Sequence, residues 1–411
     1  VIPLGMFAGV GVVAPGPGPG GSYAYWSPTD KPAGITLSDS DKVATGTGVA
    51  VAPLRSITAR ARGKWYVEFV IENFVNSLGV GFASRVAAIA PYLGAGMYSF
   101  SLFGNYSSQV RAFHLGSAIN SWTPPTPYTT GDVVGMHIDY DAGKAWFAKN
   151  GTAISGDPAA GTGAMITFSP NIPMCLAANP YGNSASGGAV RLRTDPAEHD
   201  YSAASGFTAG FPEIDPDVQV LDPYYCTLAC YYPADNAVES FASIGNYANA
   251  RALKPCAGLC YFSMSVDWNG SGSVAGAGVA DETSDLRNSN NYPGYDNMGV
   301  EVGCPNGSMF HNAGSVGTLP GTITNDPVNI EFAVDVSTRK VWIRQNGQAW
   351  AGGGDPAAGT SPTVTLSGSG AIYPVGWIST SGPSGRQVAL HVDAGSTTGT
   401  PPSGFTAANW A

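Results

Sequence analysis

The chain has 411 residues, of which 12% are charged, and a formal net charge of −10 with no Lys/Arg cluster. Only 7 lysines and 8 glutamates stand beside 55 glycines and 31 prolines, which argues against a helix-rich protein, because those two residues normally fill exposed helix faces. The missing basic cluster argues against a nucleic-acid groove or a membrane-surface patch, and the 44% apolar share argues against wholesale disorder.

In chain order, Val1 to Val13 is an apolar run broken by Pro3, Gly5, Gly9 and Gly11. It is too short to span a bilayer and lacks the charged start of a secretory signal. Val1 reads as the residue left when an initiator Met is removed, which suits a protein made in the cytosol. Ala14 to Gly21 alternates Pro and Gly and reads as an extended tether. Beyond it the pattern is β. Lys64 to Ile71, Val133 to Tyr140, Lys144 to Ala148 and Tyr261 to Val266 mix aromatic and β-branched residues at strand length. Asp141-Ala142-Gly143 and Asn150-Gly151 supply the turns of a meander.

The sequence also repeats itself. Gly156 to Thr162 (GDPAAGT) recurs letter for letter at Gly354 to Thr360. Asp139, Trp146 and Asn150-Gly151 match Asp335, Trp342 and Asn346-Gly347 at an offset of 196, and Ser205 to Ala209 matches Ser403 to Ala407 at 198. Weaker echoes link Gly79 and Gly81 to Gly276 and Gly278, and Phe113-His114 to Phe310-His311. Kept order and spacing mean one domain duplicated. The expected layout is a leader and tether over residues 1–21, a β-sandwich over 22–211, a stiff linker over 212–217 (Pro212 to Asp217), and a diverged, Cys-rich sandwich over 218–411.

The series GKWYVEFVIE, GVGFAS, Tyr92-Leu93-Gly94, GDVVGMHIDYDAGKAWFAKNG and GDPAAGTG resembles a SPRY domain, in the form found in bacteriophage structural proteins. Trp26-Ser27-Pro28 and Ser205-Gly206-Phe207 resemble the ends of that phage form. The second copy keeps part of the pattern but has Cys260 where the first has Trp65. The resemblance implies an all-β chain, two tandem SPRY-like sandwiches of the concanavalin type used for binding rather than catalysis, carried on a virion surface component. Fold alone does not fix function.

The acidic groups Asp39/Asp41, Asp139/Asp141, Asp215/Asp217 and Asp281/Glu282/Asp285 fit turn capping better than acid–base work or calcium binding. The histidines His114, His137, His199, His311 and His391 form no metal pattern, and no nucleophile elbow is present. Trp65, Trp146 and Trp342 are expected in the core between the sheets. Tyr92, Tyr98, Phe103 and Tyr106, with Tyr292 and Tyr295, lie in glycine-rich stretches between strands and are the candidate binding residues. Cys226/Cys230 and Cys256/Cys260 are each four apart, so two strands carrying them would bring both pairs into one register for two disulfides. Buried free thiols and a four-cysteine zinc site are the alternatives, zinc last because its knuckles usually show a two-residue spacer.

The resulting expectation is a non-enzymatic virion surface protein without cofactor or metal. It docks on other virion proteins through residues 1–21 and presents two binding domains to a host-surface glycan or protein, with homo-oligomerisation open. A decoration or cement protein is the close alternative. A glycan depolymerase is the different-class reading and would need two carboxylates facing a cleft. A secreted host adhesion protein would need a further upstream segment.

Overall fold

The computed structural model describes residues 23–46, 53–75, 77–84, 92–96, 98–106, 109–119, 126–181, 187–213, 221–226, 230–234, 237–240, 247–268, 275–286, 291–324, 326–379, 387–391 and 396–410. The leader and tether, and Asp215 and Asp217 of the linker, lie outside them.

The first copy contributes β1 (Ile35–Ser38), β2 (Val43–Gly46), β3 (Leu54–Arg60), β4 (Lys64–Asn73), β5 (Gly79–Ala83), β6 (Ser99–Tyr106), β7 (Gln109–His114), β8 (Ser117–Ile119), β9 (Val133–Asp139), β10 (Lys144–Lys149), β11 (Thr152–Ala153), β12 (Ile166–Thr167), β13 (Met174–Asn179), β14 (Ala189–Arg193) and β15 (Thr208–Ala209). One sheet runs β1-β2-β14-β4-β9-β10-β11, with β12 on β10 and β15 on β4, and the facing sheet runs β3-β13-β5-β6-β7-β8. The second copy contributes β16 (Leu221–Cys226), β17 (Cys230–Ala234), β18 (Ala237–Ser240), β19 (Tyr247–Ala252), β20 (Leu259–Asp267), β21 (Ala275–Asp281), β22 (Gly299–Cys304), β23 (Ser308–His311), β24 (Gly314–Thr318), β25 (Val328–Asp335), β26 (Lys340–Gln345), β27 (Val364–Thr365), β28 (Ile372–Ser379), β29 (Gln387–Leu390) and β30 (Thr406–Ala407). Its sheets run β17-β18-β29-β20-β25-β26-β27, with β30 on β20, and β16-β19-β28-β21-β22-β23-β24. Apart from β16 and small differences at the edge beyond β10 and β26, the two strand orders are the same. No α-helix occurs among the described residues. The chain is an all-β pair of tandem two-sheet sandwiches.

Each sandwich closes around its own core. Val67, Phe69 and Ile71 of β4 meet Val80 and Phe82 of β5 and Leu176 of β13 in the first. Phe262, Met264 and Val266 of β20 meet Ala277 and Val279 of β21 and Ile378 of β28 in the second. The turns form as the composition dictates. Asn150 and Gly151 both adopt positive φ, the geometry that a two-residue hairpin turn requires, and Asn346-Gly347 repeats it. The extra strand β16 lies against β3 of the first copy, and Ala61, just past β3, is buried in the second sandwich's core cluster.

The tryptophan expectation is corrected in part. Trp65 is a core residue beside Phe211. Trp146 and Trp342 are buried outside the core, because the alternating neighbours Ala145 and Phe147, or Val341 and Ile343, take the inward positions. Trp146 packs on Phe207 and Trp342 on Phe405, both from the closing Ser-Gly-Phe segment. The same pair explains the repeated heptapeptide. Trp146 Nε1 donates to Thr162 O and Trp342 Nε1 to Thr360 O, each at 2.8 Å. Lys144 Nζ donates to Gly161 O at 2.9 Å and Lys340 Nζ to Gly359 O at 2.8 Å. Asp157 and Asp355 accept from Ala160 N and Ala358 N within their own loops. GDPAAGT is therefore a latch read through its backbone, which constrains its shape tightly.

On that same outer face each copy holds a buried carboxylate, which in the first copy fixes the closing segment. Glu68 accepts from Tyr66 Oη at 2.9 Å and from the backbone N–H of Asp200 and Tyr201 at 2.8 Å, with Arg193 at 3.5 Å. Glu331 lies 2.6 Å from Tyr261 Oη, pairs with Arg344 Nε at 2.5 Å and accepts from Gly347 N at 2.7 Å. The aspartates expected as turn caps act so: Asp139 accepts from Ala142 N, Asp141 from Gly63 N, and Asp335 from Ser337 N and Thr338 N.

Candidate binding faces

The outer face of the second sheet in each copy is built around a Gly-x-Gly pair, Gly79/Gly81 on β5 and Gly276/Gly278 on β21. The missing side chains leave room for rings. A Cβ on Gly79 would sit 2.9 Å from the Phe103 ring, and one on Gly276 would sit 2.5 Å from the Trp377 indole. Over this trough lies a Tyr-x-Gly segment, Tyr92-Leu93-Gly94 in the first copy and Tyr292-Pro293-Gly294 in the second. Gly94 has φ +91°, donates to Ser99 Oγ at 2.8 Å and accepts from Gly116 N at 2.9 Å. Gly294 O accepts from Ala313 N at 2.9 Å in the same way.

Four of the six aromatic residues singled out in the sequence meet on these faces. Tyr92 makes edge contacts with Phe103 and Phe113, each at 6.1 Å, and its hydroxyl donates to Gly116 O at 3.3 Å. Tyr292 meets Tyr247 at 5.2 Å, Tyr295 at 5.9 Å and Phe310 at 6.3 Å, and Tyr247 leans on Trp377 at 5.6 Å. Phe103 is buried, so it is floor rather than contact surface. Tyr98 packs against the first core instead, and burial pushes its phenol up. Tyr106 ends β6 and pairs with Gln109 on the backbone, and its side chain lies outside the described residues.

Two residues project from the rims. Tyr295 is 49% exposed, and Leu115 is 57% exposed. Leu115 holds φ +51° in the β7–β8 turn, whereas the second copy places Asn312 at the matching position with φ +53°. Asparagine adopts that conformation more readily than leucine, so Leu115 is both exposed and strained. Sequence reading missed Leu115, although an apolar residue before glycine in a tight turn was the available signal.

Beneath the second face lies Glu301, opposite Gly278 and only 4% exposed. Its Oε2 has no hydrogen-bond partner among the described residues, nor has Trp377 Nε1. Burial pushes the Glu301 carboxyl well above its usual range, which favours its protonated form. The first copy has Ser101 at this site, donating to Leu93 O at 2.8 Å.

The cysteines do not form the paired ladder expected. Cys226 ends β16 in one sheet and Cys230 begins β17 in the other, and β18 and β29 separate β17 from β20. The side chains of Cys226 and Cys230 lie outside the described residues. Cys256 and Cys260 are buried and free of disulfides. Burial first, then the neighbouring Cys260 thiol, pushes the Cys256 thiol well up. Cys256 precedes β20 and donates its N–H to Ile372 O, so it does not share a strand with Cys260 as the spacing had implied. Among the described residues no group of three or more His, Cys, Asp or Glu is placed to hold a metal.

No protein-family model matches the chain, and no curated protein does. Among solved structures it is similar to the PSpry domain of TRIM65, with 14% identity over 42% of this chain and 93% of that one and a TM-score of 0.32. It is also similar to stonustoxin, with 17% identity over 41% of this chain and 27% of that one, again with a TM-score of 0.32.

Proposed function

We propose that this chain is a non-enzymatic virion surface protein, docked on the particle through its N-terminal residues and presenting two SPRY-like sandwiches to a host-surface glycan or protein. The virion role rests on the resemblance of the sequence to the phage form of the domain. The binding role rests on one observation: both copies keep the same aromatic Tyr-x-Gly cover over the second sheet, rimmed by the exposed Leu115 in one and Tyr295 in the other. Exposed apolar side chains on a matched, preformed surface mark a contact site.

The test compares attachment of the purified full chain to host cells and to particles stripped of it. Saturable attachment to cells, weakened in the double variant L115N/Y295A, is the expected result. Attachment to particles alone would make the chain a decoration protein. Clearing of host polysaccharide in a zymogram would overturn the non-enzymatic reading.

A further inference from the structure

The cover over the first face is fastened to its sheet by side chains. Asn179 Oδ1 accepts from Leu93 N at 3.2 Å, Ser101 Oγ donates to Leu93 O at 2.8 Å, and Ser99 Oγ accepts from Gly94 N at 2.8 Å. Strand register identifies the three counterparts in the second copy. Trp377 faces Gly276 as Asn179 faces Gly79, Glu301 faces Gly278 as Ser101 faces Gly81, and Gly299 faces Ala280 as Ser99 faces Ala83. None of these three residues gives the cover a side-chain hydrogen bond, and Pro293, in the place of Leu93, has no N–H to donate. The ends of the segment are tied, by Asn249 Nδ2 to Asn291 O at 2.8 Å and by Asp296 to Ser284 Oγ at 2.8 Å and Met298 N at 3.0 Å. Between them, among the described residues, the hydrogen bond leaving the segment is Ala313 N to Gly294 O.

Under this loosely held middle stretch lies the partnerless oxygen of Glu301. A Cβ on Gly294 would sit 3.1 Å from Glu301 Cγ, so the cover rests directly on the acid. The groups facing Glu301 are Gly278 from β21, Phe310 from β23, Tyr292 and Gly294 from the cover and Tyr247 from β19, and none is a cation. Burial first, then Glu301 itself, pushes both phenols up. Asp296 is committed to Ser284 and Met298, His311 Nδ1 lies 2.8 Å from Gly299 O, and Cys304 on the same strand lies in the core. Arg251 shares the row, but β28 and β21 intervene and its guanidinium lies 4.0 Å from the Tyr373 ring centroid. A carboxylate in this place would need donors, and water supplies them only if the cover moves off.

We infer that the Tyr292-Pro293-Gly294 cover of the second copy is a lid released by ionisation of Glu301, whereas the Tyr92-Leu93-Gly94 cover of the first copy is a fixed face. Lifting withdraws the Tyr292 ring from Tyr247 and Phe310, its neighbours at 5.2 and 6.3 Å, and bares both rings above the sheet. Burial favours the proton, so the lid is shut on the acid side and opens as pH rises. One chain then carries a constant contact surface and a conditional one. The lid stands on the geometry of the second copy, and only its use in attachment rests on the binding reading given above.

Hydrogen exchange of the full chain, read by mass spectrometry on peptides spanning 292–298 and 92–96, tests this with the first copy as internal reference, because the intrinsic pH dependence of exchange divides out of their ratio. Between about pH 5 and 8 the second cover is expected to lose protection about tenfold or more relative to the first. Glu301→Gln, which cannot ionise, is expected to hold the ratio constant. In the unchanged chain, the infrared band of a protonated carboxyl that survives after ordinary carboxyls have ionised is expected to fade over the same pH interval as the protection. A ratio that does not vary with pH, a loss that persists in Glu301→Gln, or a carboxyl band whose fading does not track the loss overturns the inference. A lid that lifts in a chain that attaches to no host cell would leave the switch standing and sink the attachment reading, and attachment with an invariant ratio would do the reverse.

Discussion

The two sandwiches solve the same electrostatic problem from opposite sides of one ladder. In the first, the buried carboxylate is Glu68 on β4, facing Gly135 on β9. In the second, the strand matching β4 carries Ser263, and the carboxylate has crossed the rung to Glu331 on β25. Tyr66 and Tyr261 contact the two acids alike, but the arginine comes from β14 in one and β26 in the other. What the duplication has kept is a charge at a place in space, with the residue supplying it free to move. A buried carboxylate needs that full set of donors, because its desolvation is offset only when every lone pair is met.

The largest effect that would test the comparison is loss of either acid. Glu68→Ala and Glu331→Ala are each expected to cost about 3 kcal/mol in denaturant unfolding, since each leaves a buried tyrosine hydroxyl and backbone N–H donors without their acceptor. The exchange E68S/G135E, which writes the second arrangement into the first, is expected to recover little. A Cβ at Gly135 would sit 2.8 Å from Tyr66 Oη, so the ring occupies the space the new side chain needs. Full recovery would show that the Tyr66 ring can yield that space and would strengthen the equivalence drawn between the rungs.

A smaller difference separates the copies by pH. Glu301 is raised by burial, so the folded state keeps a proton that the unfolded state loses, and its contribution declines as pH rises above about 4.5. His137 is lowered from 6.5 to about 4, so its contribution declines as pH falls through that window. Stability curves of Glu301→Gln and His137→Gln, each taken against the unchanged chain, are therefore expected to diverge from it in opposite directions between about pH 4.5 and 6.5. Parallel curves for the two variants would show that the buried acid and the buried imidazole titrate as ordinary exposed groups.

The smallest effect concerns the two turns. Leu115→Asn gives the first copy the residue the second already uses at positive φ, and is expected to stabilise by about 1 kcal/mol while weakening attachment. A stability gain without loss of attachment would mean that the leucine is strained for no binding reason.

Much of this architecture was legible in the residues. The offset repeats located both sandwiches, and the Asn-Gly and Gly-containing turns placed the hairpins correctly. The misplacement of Trp146 and Trp342 has a physical cause. Both faces of β10 are covered, one by the core and one by the closing segment, so KAWFAK shows no apolar–polar alternation to say which ring points inward. The cysteine register failed because it required β16 and β17 to be one strand, and nothing in Cys226 to Cys230 signals that the chain changes sheets between them. On the candidate faces, tyrosines in glycine-rich stretches were visible. Glu301 was not, since its burial depends on Gly278 and Gly294 lying against it, a proximity created only by folding.

Ala61 gives the order of synthesis a structural meaning. It belongs to the first half in sequence and to the second half's interior in space, with β16 laid beside β3. As the chain leaves the ribosome, the earlier half can close before the later half exists, and then offers it a wall to build against. During synthesis the later half therefore completes its interior against a surface that the earlier half supplies.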